Sequence, residues 1–279
     1  MVCVKPSDVL FCVVPCFLGQ GILARERKVL SRFKIEPQRV VILANSPHDV
    51  QEARALGFRA KFINHNCWLD DSLFCPRPEI AKDLDAVLVS SPLPVKRPEL
   101  SSEVRSKAVI TYAPYSDELK EQINCSVYYE ALTHEEVAKV INRARVGLCL
   151  SAREGACYAS GEYLLSGLPV VTTPSEGGRE QWYTPNNHKL CHPTPESVAQ
   201  TVKDALDAGF ESARIRNEHL EKSRQFRNSF VKLTARLGQE VGLERDWEGI
   251  FKEQYFHKMV RFAPTDEVRE HLLEMKSKA

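Results

Sequence analysis

Neither sign of charge dominates this chain: 38 lysines and arginines face 37 aspartates and glutamates, a formal net charge of +1. So even a balance supplies no long-range field for nucleic acid or an anionic membrane, although a local basic patch is compatible with it. No apolar run is long enough to cross a bilayer. The apolar N-terminal stretch, residues 9–18, is too short, and it lacks the basic region and small-residue cleavage site of a signal peptide. It reads as a first strand. The nine cysteines are odd in number and scattered, and Cys12 and Cys149 lie inside apolar runs. With no pair at zinc-finger spacing, they read as reduced thiols of a cytoplasmic protein and predict no metal site. Internal repeats and low-complexity tracts are absent as well. The 279 residues suffice for one large or two small domains.

What is present is concentrated in residues 149–180, CLSAREGACYASGEYLLSGLPVVTTPSEGGRE. The apolar run at 146–150, ended by Ser151, suits a buried strand, so Glu154 falls in the loop at its carboxyl end. Residues 157–166 are rich in helix formers and are stopped by Gly167 and Pro169, which carries Glu162 inside a helix. Val170, Val171 and Thr172 make the next strand, followed by a turn-rich loop with Gly177 and Gly178. In open parallel sheets ligands bind beyond the carboxyl ends of the strands, where helix N-termini offer unpaired amides to phosphate. Ionised carboxylates are acceptors only and suit pairs of sugar hydroxyls. Two of them about two helical turns apart can hold opposite ends of one elongated ligand. Both being solvated helix-surface carboxylates is the competing reading.

The run S-x-x-E-G-x6-E, followed by G-L-P-V-V-T-T and a Gly-Gly loop, resembles the donor half of retaining GT-B glycosyltransferases of the family-4 type, glycosyl transferases group 1. The resemblance implies an α/β fold of two Rossmann-like lobes. It also implies a nucleoside-diphosphate-sugar donor, an acceptor hydroxyl, retention of anomeric configuration, and no required metal or cofactor. A D-x-D metal signature in a suitable loop is missing, in agreement. By the same resemblance Glu154 and the amides of Gly155, Ala156 and Cys157 contact the transferred sugar, Glu162 holds the ribose, and Gly177 and Gly178 approach the phosphates. Family members place an arginine and then a lysine after the first strand of the second lobe, gripping the diphosphate. Lys96 matches the lysine; Ser91 stands at the arginine position, and Arg97 is the candidate substitute. A solvated surface pair on a proline-rich loop is the plainer reading of those two. The loop after the strand ending at Tyr129 lies near the base in the family, so Tyr129 is a candidate stacking residue, although a strand aromatic is more often core.

In chain order, strands are expected at residues 8–15, 39–44 and 60–64, with helices at 22–33 and 47–56, a βαβαβ start to a doubly wound sheet. Gly19 and Gly21 between the first strand and helix are either a tight turn or a phosphate-approaching loop. The segment FINHNCWLDDSLFCP resembles the interdomain segment of the family, with Asn66, Asp70, Phe74 and Pro76 in comparable positions. That divides the chain into a reduced N-terminal, acceptor-side lobe at 1–65, a nucleotide-sugar-binding lobe at 66–245, and C-terminal helices at 246–279 packing back on the first lobe. The small first lobe leaves the acceptor loops without assignable counterparts; His48 and His65 are candidates by location only. Strands follow at 86–90, 107–111, 125–129 and 189–191, and helices at 117–122, 194–208 and 211–237. Thr133 to Glu136 read as a capping box. The aromatics from Trp247 to Phe262 have helical spacing. Packing on the first lobe is favoured over contact with a membrane, because Glu248 and Glu253 are mixed among the basic residues. A non-catalytic nucleotide-sugar-binding or interaction protein is the alternative, supported by the short first lobe and Ser91. A nucleotide-sugar epimerase of similar fold ranks last, since its acid-base residues have no clear match.

Overall fold

In the computed structural model, residues 9–13 and 20–254 are described. The first lobe is a three-stranded parallel sheet in the order β1-β2-β3. Its strands β1 (Leu10–Val13), β2 (Val40–Ala44) and β3 (Arg59–Phe62) are linked by α1 (Gln20–Arg32) and α2 (Pro47–Ala55). All five residues of β2 are buried, as a strand covered on both faces must be. Its side chains alternate between two cores: Val40, Ile42 and Ala44 pack with Leu23, Val50, Ala53 and Phe58, while Val41 and Leu43 face Trp68 and Phe230. Ser46 caps α2 by accepting from the Asp49 amide at 3.1 Å.

A short 3-10 turn, His65–Trp68, leads into the second lobe, a six-stranded parallel sheet in the order β11-β9-β7-β4-β5-β6. Its strands are β4 (Leu84–Val89), β5 (Lys107–Thr111), β6 (Val127–Glu130), β7 (Ala144–Cys149), β9 (Val170–Thr172) and β11 (His188–Leu190). The chain builds β4, β5 and β6 outward on one side and then returns beside β4 with β7, so the order reverses between β4 and β7. Such a reversal leaves a crevice at the carboxyl ends of the two strands. The helices are α3 (Asp117–Ile123), α4 (His134–Arg143), α5 (Tyr158–Leu165), α6 (Pro195–Asp207), α7 (Ser212–Glu240) and α8 (Trp247–Gln254). The capping box at the start of α4 is formed in both directions, with Thr133 and Glu136 as expected. Two short strands, β8 (Arg153–Glu154) and β10 (Glu176–Gly177), pair in parallel outside the main sheet.

The 29-residue helix α7 joins the lobes. Phe226 meets Phe62 edge-on at 4.8 Å, Phe230 meets Trp68 at 5.2 Å, and the Arg227 guanidinium donates to the carbonyls of Cys67 and Leu69. The return to the first lobe expected of residues 246–279 is therefore already made by α7. Phe251 of α8 adds to the same aromatic cluster, 5.7 Å from Trp68. The remaining C-terminal aromatics of that expectation, from Tyr255 onward, lie outside the described residues. Among the described residues no helix is long and apolar enough to cross a membrane.

Candidate functional site

Three loops meet at the β4–β7 reversal. The loop after β4 carries Lys96 and Arg97, the loop after β7 carries Glu154, and the loop after β9 carries Gly177 and Gly178. They are laced together by backbone: the Ala152 amide donates to Val95 at 2.8 Å, and the Glu176 amide donates to Ala152 at 3.0 Å. Gly177 has φ 126°, a conformation that a side chain would strain, so its place in β10 needs glycine.

Lys96 and Glu154, distant in sequence, form an ion pair with Nζ and Oε1 2.5 Å apart and side chains 29% and 12% exposed. Burial alone would lower the Lys96 pKa, but the Glu154 carboxylate more than offsets it, and the ammonium is held above its ordinary value. Beyond Glu154 the chain turns through Cys157, which has φ 56° and N-caps α5. Among the described residues, no backbone acceptor meets the amides of Gly155, Ala156 and Cys157, as expected ahead of a helix start. The Cys157 carbonyl accepts from Asn66 at 3.1 Å, so the interlobe segment pins this turn. Beneath it Cys157 Sγ lies 3.9 Å from Cys149 Sγ.

Glu162 lies in the second turn of α5, is 6% exposed, and makes no side-chain hydrogen bond or ion pair within the described residues. Burial pushes its pKa up to about 7. A buried carboxylate left without donors is costly to the fold and needs a ligand or a proton. Tyr112, just past the end of β5, is 59% exposed, and the Glu162 charge acts on its hydroxyl. Sequence reasoning missed Tyr112. Its position immediately after a strand of the binding sheet was the available signal.

Several expected site residues are engaged otherwise. Arg97, the candidate phosphate grip, is tied to the chain just past the ends of β7 and β9. It has φ 50°, and its guanidinium donates to the Leu150 carbonyl at 2.7 Å and to Thr173 Oγ1 at 2.8 Å. Gly178 does not offer its amide to a ligand, because that amide already donates to Glu154 and Gly155 at 3.2 and 3.0 Å. The glycine is needed for the lobe junction: a Cβ there would sit 2.4 Å from the Asn45 carbonyl oxygen of the first lobe. Asn64 closes that junction by donating to both Asn45 and Gly178 carbonyls at 2.9 Å, and Trp182 Nε1 donates to Asn64 Oδ1 at 2.8 Å. Tyr129 packs against the core, and its hydroxyl accepts from Arg143 at 2.8 Å, away from a stacking role. Gly21 lies inside α1, where an added Cβ would meet nothing within 4 Å among the described residues, and Gly19 is outside the described residues. His65 is fully buried, and burial lowers its pKa to about 4, so it is a neutral packing residue at the junction. His48 is exposed on α2, where it, Asp49 and Glu52 bring ligating atoms within 4.8 Å of one another, on the first lobe.

A second missed residue is Arg179, completely buried directly after the glycine loop. Its guanidinium donates to the Cys149 carbonyl, Ser151 Oγ and the Thr173 carbonyl at 3.1, 3.0 and 2.6 Å. It thus holds the ends of β7 and β9 at a fixed separation beneath the site.

No family model matches the chain, and no curated protein matches it by sequence. Solved structures do match. The HepE protein of Anabaena, solved in complex with UDP, superposes with a TM-score of 0.60 at 16% identity, covering 78% of this chain and 68% of that one. Sucrose-phosphate synthase from Thermosynechococcus elongatus gives 0.62 at 15% identity, covering 83% and 67%. TarM gives 0.58 at 14% identity, covering 80% and 49%. The chain thus spans about two thirds of the first two and about half of the third. At these identities the likeness is one of fold: the chain has the GT-B fold of glycosyltransferases, with Rossmann-like lobes.

Proposed function

We propose that this protein binds a nucleoside-diphosphate sugar in the β4–β7 crevice and transfers the sugar to an acceptor hydroxyl, with retention and without a required metal. The observations that support the reading are the Lys96–Glu154 ion pair and, within the described residues, the amides of residues 155–157 without backbone acceptors and the Glu162 carboxylate without a donor, all at the segment around the start of α5. Ribose hydroxyls donate to Glu162, with Tyr112 beside them at the base end. The diphosphate lies over the start of α5, where the positive helix end and the free amides favour it. Glu154 accepts from hydroxyls of the sugar while Lys96 faces the leaving phosphate.

In the reaction the bond between the anomeric carbon and the phosphate oxygen breaks, and the electron pair leaves with the diphosphate. Lys96 and the amides stabilise that growing charge, a preorganised environment aimed at the atoms that become more negative. The acceptor oxygen attacks from the face the phosphate is leaving, and the departing phosphate takes its proton. No protein nucleophile is required. HepE has been solved with UDP and with UDP-glucose, which makes uridine donors the first to try.

A non-catalytic nucleotide-sugar binder is favoured by one specific observation, that Ser91 and the engaged Arg97 leave Lys96 as the main side-chain cation at the diphosphate. Titration calorimetry with UDP, GDP, ADP and CMP and their sugars, with EDTA present, tests the site. Binding of one base that is lost in Glu162→Ala supports the assignment; equal affinity in that variant removes it. Slow donor hydrolysis without acceptor separates enzyme from binder.

A further inference from the structure

Although nearly neutral overall, the protein places its cations unevenly. Two adjoining clefts of about 590 and 380 Å³ lie between α7 and the β3 side of the first sheet, sharing Arg54, Lys61 and Ser229. One wall is a row along α7, with Lys222, Ser229, Lys232 and Arg236 at three-, four- and seven-residue steps that fall on one helix face. From Lys222 to Arg236 this row extends ~21 Å. Arg54, Arg59 and Lys61 form the facing wall, and the edge-on pair of Phe62 and Phe226 lines the larger cleft between them.

These charges are poorly neutralised. Glu240 is shared between Arg59 at 2.8 Å and Arg236 at 3.8 Å. Arg54 donates to the Ala60 carbonyl, and Lys222 donates to the Gln181 carbonyl, neither partner carrying charge. Burial lowers the Lys222 pKa. Among the described residues no carboxylate lies within ion-pair reach of Arg54, Lys61, Lys222 or Lys232. Facing cations without counterions repel across a groove, and a multivalent anion placed between them relieves that repulsion. The volumes suit a small molecule, and an aromatic floor suits the apolar face of a ring.

We propose that this groove binds a compact polyphosphorylated ring compound, either free or as a lipid headgroup. The groove shares no lining residue with the β4–β7 crevice, so it does not depend on the function proposed above. A ligand there bridges α2 and β3 of the first lobe to α7 and clamps the helix that joins the lobes.

The test is titration calorimetry of the full chain with inositol hexakisphosphate. Vesicles of phosphatidylcholine containing either phosphatidylinositol bisphosphate or phosphatidylserine form parallel arms. Saturable binding is expected, weakened about tenfold or more in the double variant Lys61→Glu/Lys232→Glu, whose residues are exposed and replaceable without loss of fold. The double variant Arg105→Glu/Lys203→Glu, at exposed positions outside the groove, should bind as the parent does and controls for net charge. Vesicle binding confined to the bisphosphate lipid assigns the lipid source, and binding of the soluble compound alone assigns the free one. No saturable binding, equal affinity in the double variant, equal binding to phosphatidylserine vesicles, or tighter binding of a poly-uridine RNA would each overturn the proposal.

Discussion

Replacing Glu162 with glutamine should stabilise the ligand-free protein while weakening its donor complex, and the stabilisation should appear only at neutral to alkaline pH. The carboxyl is buried without a donor among the described residues, and its pKa rises from an ordinary 4.5 to about 7. Such a rise corresponds to about 3 kcal/mol against the fold once the group is ionised. The sign follows from which state prefers the proton. Below pH 4.5 both folded and unfolded chains are protonated and nothing is lost. Between 4.5 and about 7 the unfolded chain ionises first and stability falls. Above that the whole cost is present. Glutamine keeps the volume and lacks the charge, and burial of its amide costs about 1 kcal/mol, leaving a net gain of about 2 kcal/mol. At roughly 2–4 °C per kcal/mol for a chain of this size, Tm should rise by about 4–8 °C at pH 8 and change little at pH 5. Differential scanning calorimetry of both proteins at the two pH values measures this. A glutamine variant less stable at pH 8, or a difference that does not change with pH, would refute the argument. Ribose donors would draw the carboxyl back towards ionisation, so parent nucleotide affinity should weaken by up to about tenfold per pH unit below 7, whereas the variant's should not.

Gly178→Ala should destabilise the protein by about 2–3 kcal/mol, because its Cβ meets the Asn45 backbone of the other lobe and no flexible side chain can yield; an unchanged urea midpoint would discount the close approach. Arg179→Met removes donors from three buried oxygens and should cost about 3 kcal/mol or more. Lysine at that position keeps the charge but loses the fork, and should fail to restore Tm. Lys96→Met should lower turnover about 10²–10³-fold if the ammonium meets the leaving phosphate, with nucleotide affinity falling much less. Loss of affinity and turnover in equal measure would place Lys96 in ground-state binding instead.

The strand and helix series could be read from the sequence because its signals are local. Apolar runs of four to six residues mark the buried strands, Gly167 and Pro169 stop α5, and Thr133 with Glu136 announces α4. The helical setting of Glu162 follows from the same cues. Long-range effects were out of reach. Gly178 looks like a phosphate-loop glycine until Asn45, 133 positions earlier, is found against it. Arg179 carries no local signal in the sequence, because its carbonyl acceptors come from strand ends that only the folded sheet brings together. Arg97 has a left-handed backbone that its own residue type does not favour, and its acceptors on Leu150 and Thr173 are distant in sequence. The charged helix at 211–237 was legible as a helix, but its role in joining the lobes depends on Phe226 and Phe230 meeting Phe62 and Trp68.

Sugar transfer with retention, from a crevice that supplies charge stabilisation through Lys96 and backbone amides, is the activity proposed for this protein. Proton NMR of the reaction with the best-binding α-linked nucleotide sugar, in EDTA and with water or a simple alcohol as acceptor, observes the first-formed anomer directly. Release of the nucleoside diphosphate together with the α-anomer before mutarotation is expected, with loss of both in Lys96→Met. A first-formed β-anomer, or turnover that requires added metal, would contradict it.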